Sequence, residues 1–241
     1  TAQARSHVKY WQRQLAELPP LPLAIDHPRG REFRCDAGRV PIHVSADTTA
    51  SLRRLAEALG VPLFAVVHAV FVALLSRHSN CSDVAVAVPV PNRTPELAHA
   101  IGPLSTHVVL RADVSTDLSL ADLIHQSEAL RKDALRHALD LGVVIDALKP
   151  KVPPGVLPLA QVSLSVEPVA DVDSHAAPFL EEAVFLERTD FGLAFELAEH
   201  ADTLTGYAVF RTDLFARATV HTMARHFERG LAFAASPGAL S

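Results

Sequence analysis

Val8, Trp11, Leu15 and Leu18 recur at spacings of three and four in an otherwise polar stretch. That pattern predicts a one-sided helix over Ala2 to Leu18. Pro19, Pro20 and Pro22 end it, and Leu21 to Arg31 reads as an extended connector. Phe33 to Val44 alternates loosely and closes on Val40-Pro-Ile-His-Val44, a strand or hairpin arm. Asp47 offers a side-chain oxygen to cap a second helix. Its inward stripe is Leu52, Leu55, Ala56 and Leu59, and Gly60 closes it. Pro62 falls where a first-turn proline does no harm. Leu63 to His78 then continues as a helix apolar on nearly every side, hence buried.

Asp83 to Pro89 is a β-branched, alanine-interleaved run suited to a strand covered on both faces, followed by a turn at Pro91-Asn92-Arg93. Val108 to Leu110 is a short strand, and Ser119 starts a helix that runs through Leu139. Leu159 to Val166 and Phe179 to Glu187 alternate as strands. Phe191 to Ala198 and Leu204 to Phe210 form a hairpin through Asp202, and a helix over Ala216 to Ala234 closes the pattern. Helices and strands are interspersed with no composition break. One α/β unit over residues 1–241 is the simplest account, with 1–30 as leading helix and connector.

Composition sets limits on this picture. Hydrophobic residues make up 49% of 241 and charged residues 20%, enough to build a core, and a net charge of −5 argues against general nucleic-acid binding. Cys35 and Cys81 make no disulfide framework and fit a reducing cytosol. The longest apolar run, Val61 to Leu75, falls short of the roughly 20 residues a membrane span needs. No basic-then-apolar leader opens the chain, and a start at Thr1 without methionine suits a cut piece of something longer.

Self-sufficient chemistry is hard to find. There is no phosphate-binding glycine loop, no dinucleotide turn and no Gly-x-Ser-x-Gly elbow. Thirteen histidines invite a metal, yet His221 and His226 would point about 140° apart on a helix, so no metal site is expected. His68 reads as a core histidine bonded to a carbonyl.

Several segments in order resemble the C-terminal half of a nonribosomal peptide synthetase condensation domain. Tyr10-Trp11-x-x-x-Leu15, Leu18-Pro19 and Asp26-x-Pro28-Arg29 are similar to the stretch after the family's N-terminal lobe. Asp83-Val-Ala-Val and Pro89-Val-Pro-Asn-Arg93 resemble a strand and its turn. Ile101-Gly102 through Arg111 resembles Ile-Gly-x-x-x-Asn-Thr-x-x-x-Arg, and Pro158-Leu-Ala-Gln-Val162 resembles Pro-Leu-Phe-Gln-Val. Thr212-Asp-Leu-Phe215, Thr219 and His226-Phe227 are similar to the family's closing segment.

The resemblance implies a chloramphenicol acetyltransferase-like half-domain, a mixed sheet flanked by helices. In that family two lobes enclose a tunnel, and carrier proteins deliver phosphopantetheine thioesters to it. The family's catalytic His-His-x-x-x-Asp-Gly is absent from this sequence, so no catalytic residue is assigned and no turnover is expected alone. Implied partners are an N-terminal lobe and a peptidyl carrier protein, with no nucleic acid or membrane. No cofactor is held directly, since phosphopantetheine belongs to the carriers.

The resemblance also sets the candidate residues. Ser105, Thr106, His107 and Gln161 would line the tunnel, with Gln161 bonding across the lobe interface. Gly102, Asn92, Arg93 and Arg111 would shape the cleft. The plainer readings are a solvent-facing His107, ordinary salt-bridge or turn roles for Arg111 and Arg93, and Asp213 as the cap of the last helix. Departures accompany the match. Thr106-His107 replaces Asn-Thr, Pro103 and Leu104 replace aromatics, and around His137 the His-Gln-x-x-Pro-Phe-Glu motif is eroded. Relatives losing these groups include platforms that recruit tailoring oxygenases. Three readings therefore stand: the acceptor-side lobe of a working domain, the lobe of a silent recruiting domain, and an acyltransferase component of the same superfamily. A lone lobe should also expose an apolar face where its twin packs.

Overall fold

Alternation along the strands decides which face of the sheet is covered. In β1 (Ala37–Val44), Val40, Ile42 and Val44 are buried while Pro41 and His43 face out. The computed structural model describes residues 2–30, 32–91, 104–115, 117–169 and 187–239. β1 pairs antiparallel with β6 (Leu204–Arg211), β6 with β5 (Leu193–Glu199), and β5 runs parallel to β4 (Val162–Pro168). β2 (Asp83–Pro91) lies between β4 and β3 (Ser105–Asp113), giving the order β1-β6-β5-β4-β2-β3. The register sets Val40, Ala208, Phe195 and Leu164 in one row across four strands, which is the inward row.

Helices cover that row. α3 (Leu63–Ser79) is the apolar helix read from the sequence, and twelve of its residues are buried. It packs on α2 (Ala46–Ala58), α4 (Leu120–Arg136), α6 (Arg217–Ala234) and β2. Phe71, Phe195 and Phe227 meet at its centre, with ring centroids 4.9 to 5.9 Å apart. All three rings are fully buried, so each removes a large apolar surface from water. Gly206 serves the sheet, because a Cβ there would strike the Glu196 carbonyl oxygen across the ladder.

Several expected boundaries move for local reasons. The cap of α2 is Ser45, whose hydroxyl accepts from the Thr48 N–H, and Asp47 lies in the first turn. Gly60 at φ 64° ends that stretch as expected, while Pro62 is the N-cap of α3 and not a first-turn residue. α1 (Ala2–Gln14) stops short of Leu18, well before the prolines. Ser119 does start α4, through a capping box with Asp122, but the helix halts at Arg136. Asp140 then caps a separate α5 (Leu141–Leu148), accepting from the Gly142 N–H. β4 begins at Val162, since Leu159 adopts φ 69°. Of the strand expected over Phe179 to Glu187, residues 179–186 lie outside the described residues.

The end of the chain carries a correction as well. Asp213 does not cap α6. Its carboxylate is taken by Arg211, and the α6 N-cap, Ala216, is served by Asp26 of the connector. The exposed large apolar side chains among the described residues, such as Phe33, Leu118, Val143, Tyr207 and Phe233, sit on five different segments. Among the described residues no single helix is long and apolar enough to cross a membrane.

Candidate functional site

β2 and β4 are joined by one residue pair in register, Ala87 with Ser163. Just beyond it stand Pro89 and Pro91, which have no N–H to give to a ladder. Across the other edge of β2, Pro89 faces His107 of β3. The β2–β3 hairpin is thus free of lateral bonding at the end where His107 sits.

His107 is half-buried, with its ring centroid 5.2 Å from that of Phe191 at an interplanar angle of 59°. Among the described residues neither of its ring nitrogens has a hydrogen-bond partner. Burial pushes its pKa below the usual histidine value, against the opposing pull of the Asp190 carboxylate. The loop bearing Asp190 and Phe191 is pinned to the connector. Thr189 N–H donates to the Cys35 carbonyl at 2.8 Å, and the Cys35 thiol donates to Asp190 Oδ1 at 3.5 Å. The Thr189 hydroxyl in turn accepts from the Phe191 N–H at 3.2 Å. The result is an imidazole whose charged form burial disfavours, backed by an aromatic ring, at the rim of the sheet. It is equipped to hold a hydrogen-bonding ligand or pass a proton to one.

The other candidate residues fall elsewhere. Ser105 is exposed one residue before Thr106, which is buried and whose Oγ1 accepts from the Leu141 N–H at 3.2 Å, seating α5. Gln161 is buried. Its Oε1 accepts from the Leu21 N–H at 2.7 Å and its Nε2 donates to the Leu157 carbonyl at 3.0 Å, so its two ends brace the connector and a loop of this chain. Arg111 forms a two-pronged pair with Asp83, both contacts 2.8 Å, and also donates to the carbonyls of Gln14 and Ala16. Asn92, Arg93 and Gly102 lie outside the described residues. Among the described members of the set, His107 comes together with an aromatic ring and a carboxylate, and Arg111 with the carboxylate of Asp83.

Asp190, Phe191 and Cys35 were not singled out for this role from sequence, and no spacing links them to His107. His68 is a core histidine, as its position on an apolar helix suggested. Its partner is the Ser127 hydroxyl, 2.9 Å from Nδ1, and not a carbonyl. Burial lowers its pKa to about 3. His226 contacts His78, with Nε2 of His78 3.2 Å from Nδ1 of His226. Among the described residues no three His, Cys, Asp or Glu side chains are grouped to hold a metal.

A six-stranded mixed sheet with helices on its buried face is an α/β fold of the chloramphenicol acetyltransferase-like kind. The chain belongs to the condensation domain family, whose profile matches residues 1–239. It is 30% identical to a linear gramicidin synthase polypeptide of Brevibacillus parabrevis over 97% of its length, and 32% identical to chondramide synthase of Chondromyces crocatus over 97%. It spans 5% and 6% of those relatives. Among solved structures, the X-domain from teicoplanin biosynthesis in complex with OxyB superposes with a TM-score of 0.87 at 23% identity, covering 97% of this chain and 53% of that one. The first condensation domain of the calcium-dependent antibiotic synthetase, in complex with a substrate analogue, gives 0.77 at 21%, covering 99% and 54%. The chain therefore spans about half of these solved folds.

Proposed function

We propose that this chain is the C-terminal, acceptor-side lobe of a nonribosomal peptide synthetase condensation domain, forming one wall of a tunnel for carrier-bound thioesters. The observation that carries the reading is the match itself, which takes in nearly all of this chain and about half of each solved fold. In the reaction the acceptor amine's nitrogen bonds to the thioester carbonyl carbon, the C–S bond breaks, and the amine's proton ends on the departing thiol. This lobe positions the acceptor, with His107 offering a neutral imidazole to the amine or to its pantetheine arm. A complementary N-terminal lobe bearing His-His-x-x-x-Asp-Gly supplies the base, and peptidyl carrier proteins bring phosphopantetheine.

The test is reconstitution. The chain is mixed with an N-terminal lobe and two loaded carriers, and amide product is followed by mass spectrometry. Product that needs both lobes supports the reading. Failure of the lobes to associate at micromolar concentration would sink it.

A second reading is favoured by one observation, the likeness to a domain solved in complex with OxyB. Together with Thr106-His107 in place of the family's Asn-Thr, it suits a silent domain that recruits a tailoring enzyme. Capture of an oxygenase with no amide formed would select it.

A further inference from the structure

Two cavities meet at the last turn of α3. One, of about 390 Å³, opens between α3, α6 and the start of α4, with apolar walls made by Val70, Leu74, Leu120, Phe233 and Ala234. α3 and α6 touch along it at Gly230, where a Cβ would come within 2.8 Å of Val70 Cγ1. Phe233 is 65% exposed, the most of any large apolar side chain among the described residues. The second cavity, of about 580 Å³, carries polar groups, among them Ser76, Asn80, Ser82 and Ser115. Ala73, Arg77 and Leu120 line both, so the two are contiguous. Arg77 is exposed at the junction, and among the described residues no carboxylate lies at ion-pair distance from it.

The charge around these cavities is one-sided. Among the described residues no Asp or Glu lines either of them, whereas Arg77, His78 and His226 do. At the start of α4 the Ser119 hydroxyl and the Asp122 carboxylate are taken up by each other, so Arg77 is the charge that meets an anion there. An apolar hollow of ordinary ligand-site volume that leads past one cation into a polar one matches an apolar tail with an anionic head. Of the exposed large apolar side chains, only Phe233 and Leu118 border the pair of cavities among the described residues. That is little surface for the row of anchors a docked helix needs, and enough to cover one chain. We propose that this double cavity binds a medium-chain fatty carboxylate, with its chain between Leu74 and Phe233 and its head on Arg77. The site lies where Asp83 pairs with Asp113, at the opposite end of the β2–β3 hairpin from His107, so it stands apart from the tunnel role.

Decanoate is the probe, titrated into the intact chain below its micelle concentration and followed by NMR of the Val70, Leu74 and Leu120 methyl groups. Saturable shifts at these methyls and at the Phe233 ring are expected. Arg77→Gln should weaken decanoate about fivefold, the upper end for an exposed ion pair, and leave binding of uncharged 1-decanol unchanged. The Arg77 side chain is exposed, so this variant folds. Ala73→Leu, which puts bulk where the two cavities join, should abolish decanoate binding, with a thermal melt confirming that the variant is folded. No saturable shift at these groups, or equal decanoate affinity in the parent and Arg77→Gln, overturns the proposal.

Discussion

Asp26 and Ala216 stand 190 residues apart and are joined by a 2.8 Å hydrogen bond from the Ala216 N–H to the Asp26 carboxylate. The other Asp26 oxygen accepts from the Thr219 hydroxyl, also at 2.8 Å. A residue of the connector thus does for α6 what a local Ser or Asp does for other helices. Those two bonds hold the Asp26 carboxyl below the usual carboxylate range. Its contribution to stability is present above the unfolded value and is lost as pH falls through the lower, folded one. Asp26→Ala should lower Tm by a few degrees near neutral pH, with less effect in acid. Thermal melts across that range check this, and an equal loss at every pH contradicts it.

His68 is shifted in the same direction for a different reason, burial of its neutral ring. It is neutral and buried in the folded chain with a pKa of about 3, and takes up a proton near pH 6.5 when unfolded. Stability should therefore fall as pH drops between those values, by on the order of 1 kcal/mol per pH unit from this group. His68→Gln should be less stable at neutral pH and show a shallower acid slope. Urea melts at several pH values measure both.

Arg111 links β3 to β2 through Asp83 and to the end of α1 through the carbonyls of Gln14 and Ala16. About a quarter of its side chain and a third of that of Asp83 are exposed, so solvent screens the pair. Arg111→Ala should cost about 1 kcal/mol. Amide exchange should rise selectively around residues 14 to 18, and Arg111→Lys should fail to restore it because ammonium lacks the planar fork.

His107 should titrate below an ordinary histidine when followed by NMR. Asp190→Asn should push it lower still, since the carboxylate is what favours the imidazolium. In the reconstituted reaction His107→Ala is expected to cut product formation about a hundredfold, the lower end of the range for a lost proton-transfer group. Unchanged product formation would remove His107 from the site.

What the chain reveals on reading divides by range of interaction. The burial of α3 and the β5–β6 hairpin were legible because periodicity is local and both elements are decided by which residues lie three, four or two apart. The family resemblance came from ordered short motifs. The end of α4 at Arg136 and the short α5 after it were not legible, because Asp140 reads as an ordinary polar residue until its cap geometry is seen. Asp26 capping α6, Gln161 holding Leu21 and Asp190 beside His107 join positions remote in sequence, and no periodicity encodes such partners. Asp213 illustrates the competition directly. A helix-capping residue type at a plausible position was drawn off by a buried arginine, whose unpaired charge would have been the costlier defect.

The single rung between Ala87 and Ser163 has a mechanical meaning. The six strands divide into a four-stranded slab and a two-stranded flap, with a single registered pair along their seam. What yokes them is α3, gripped by α4 on the flap side and by α6 on the slab side. A greasy rod laid across the seam therefore couples the two pieces, and loosening that rod should let them come apart separately.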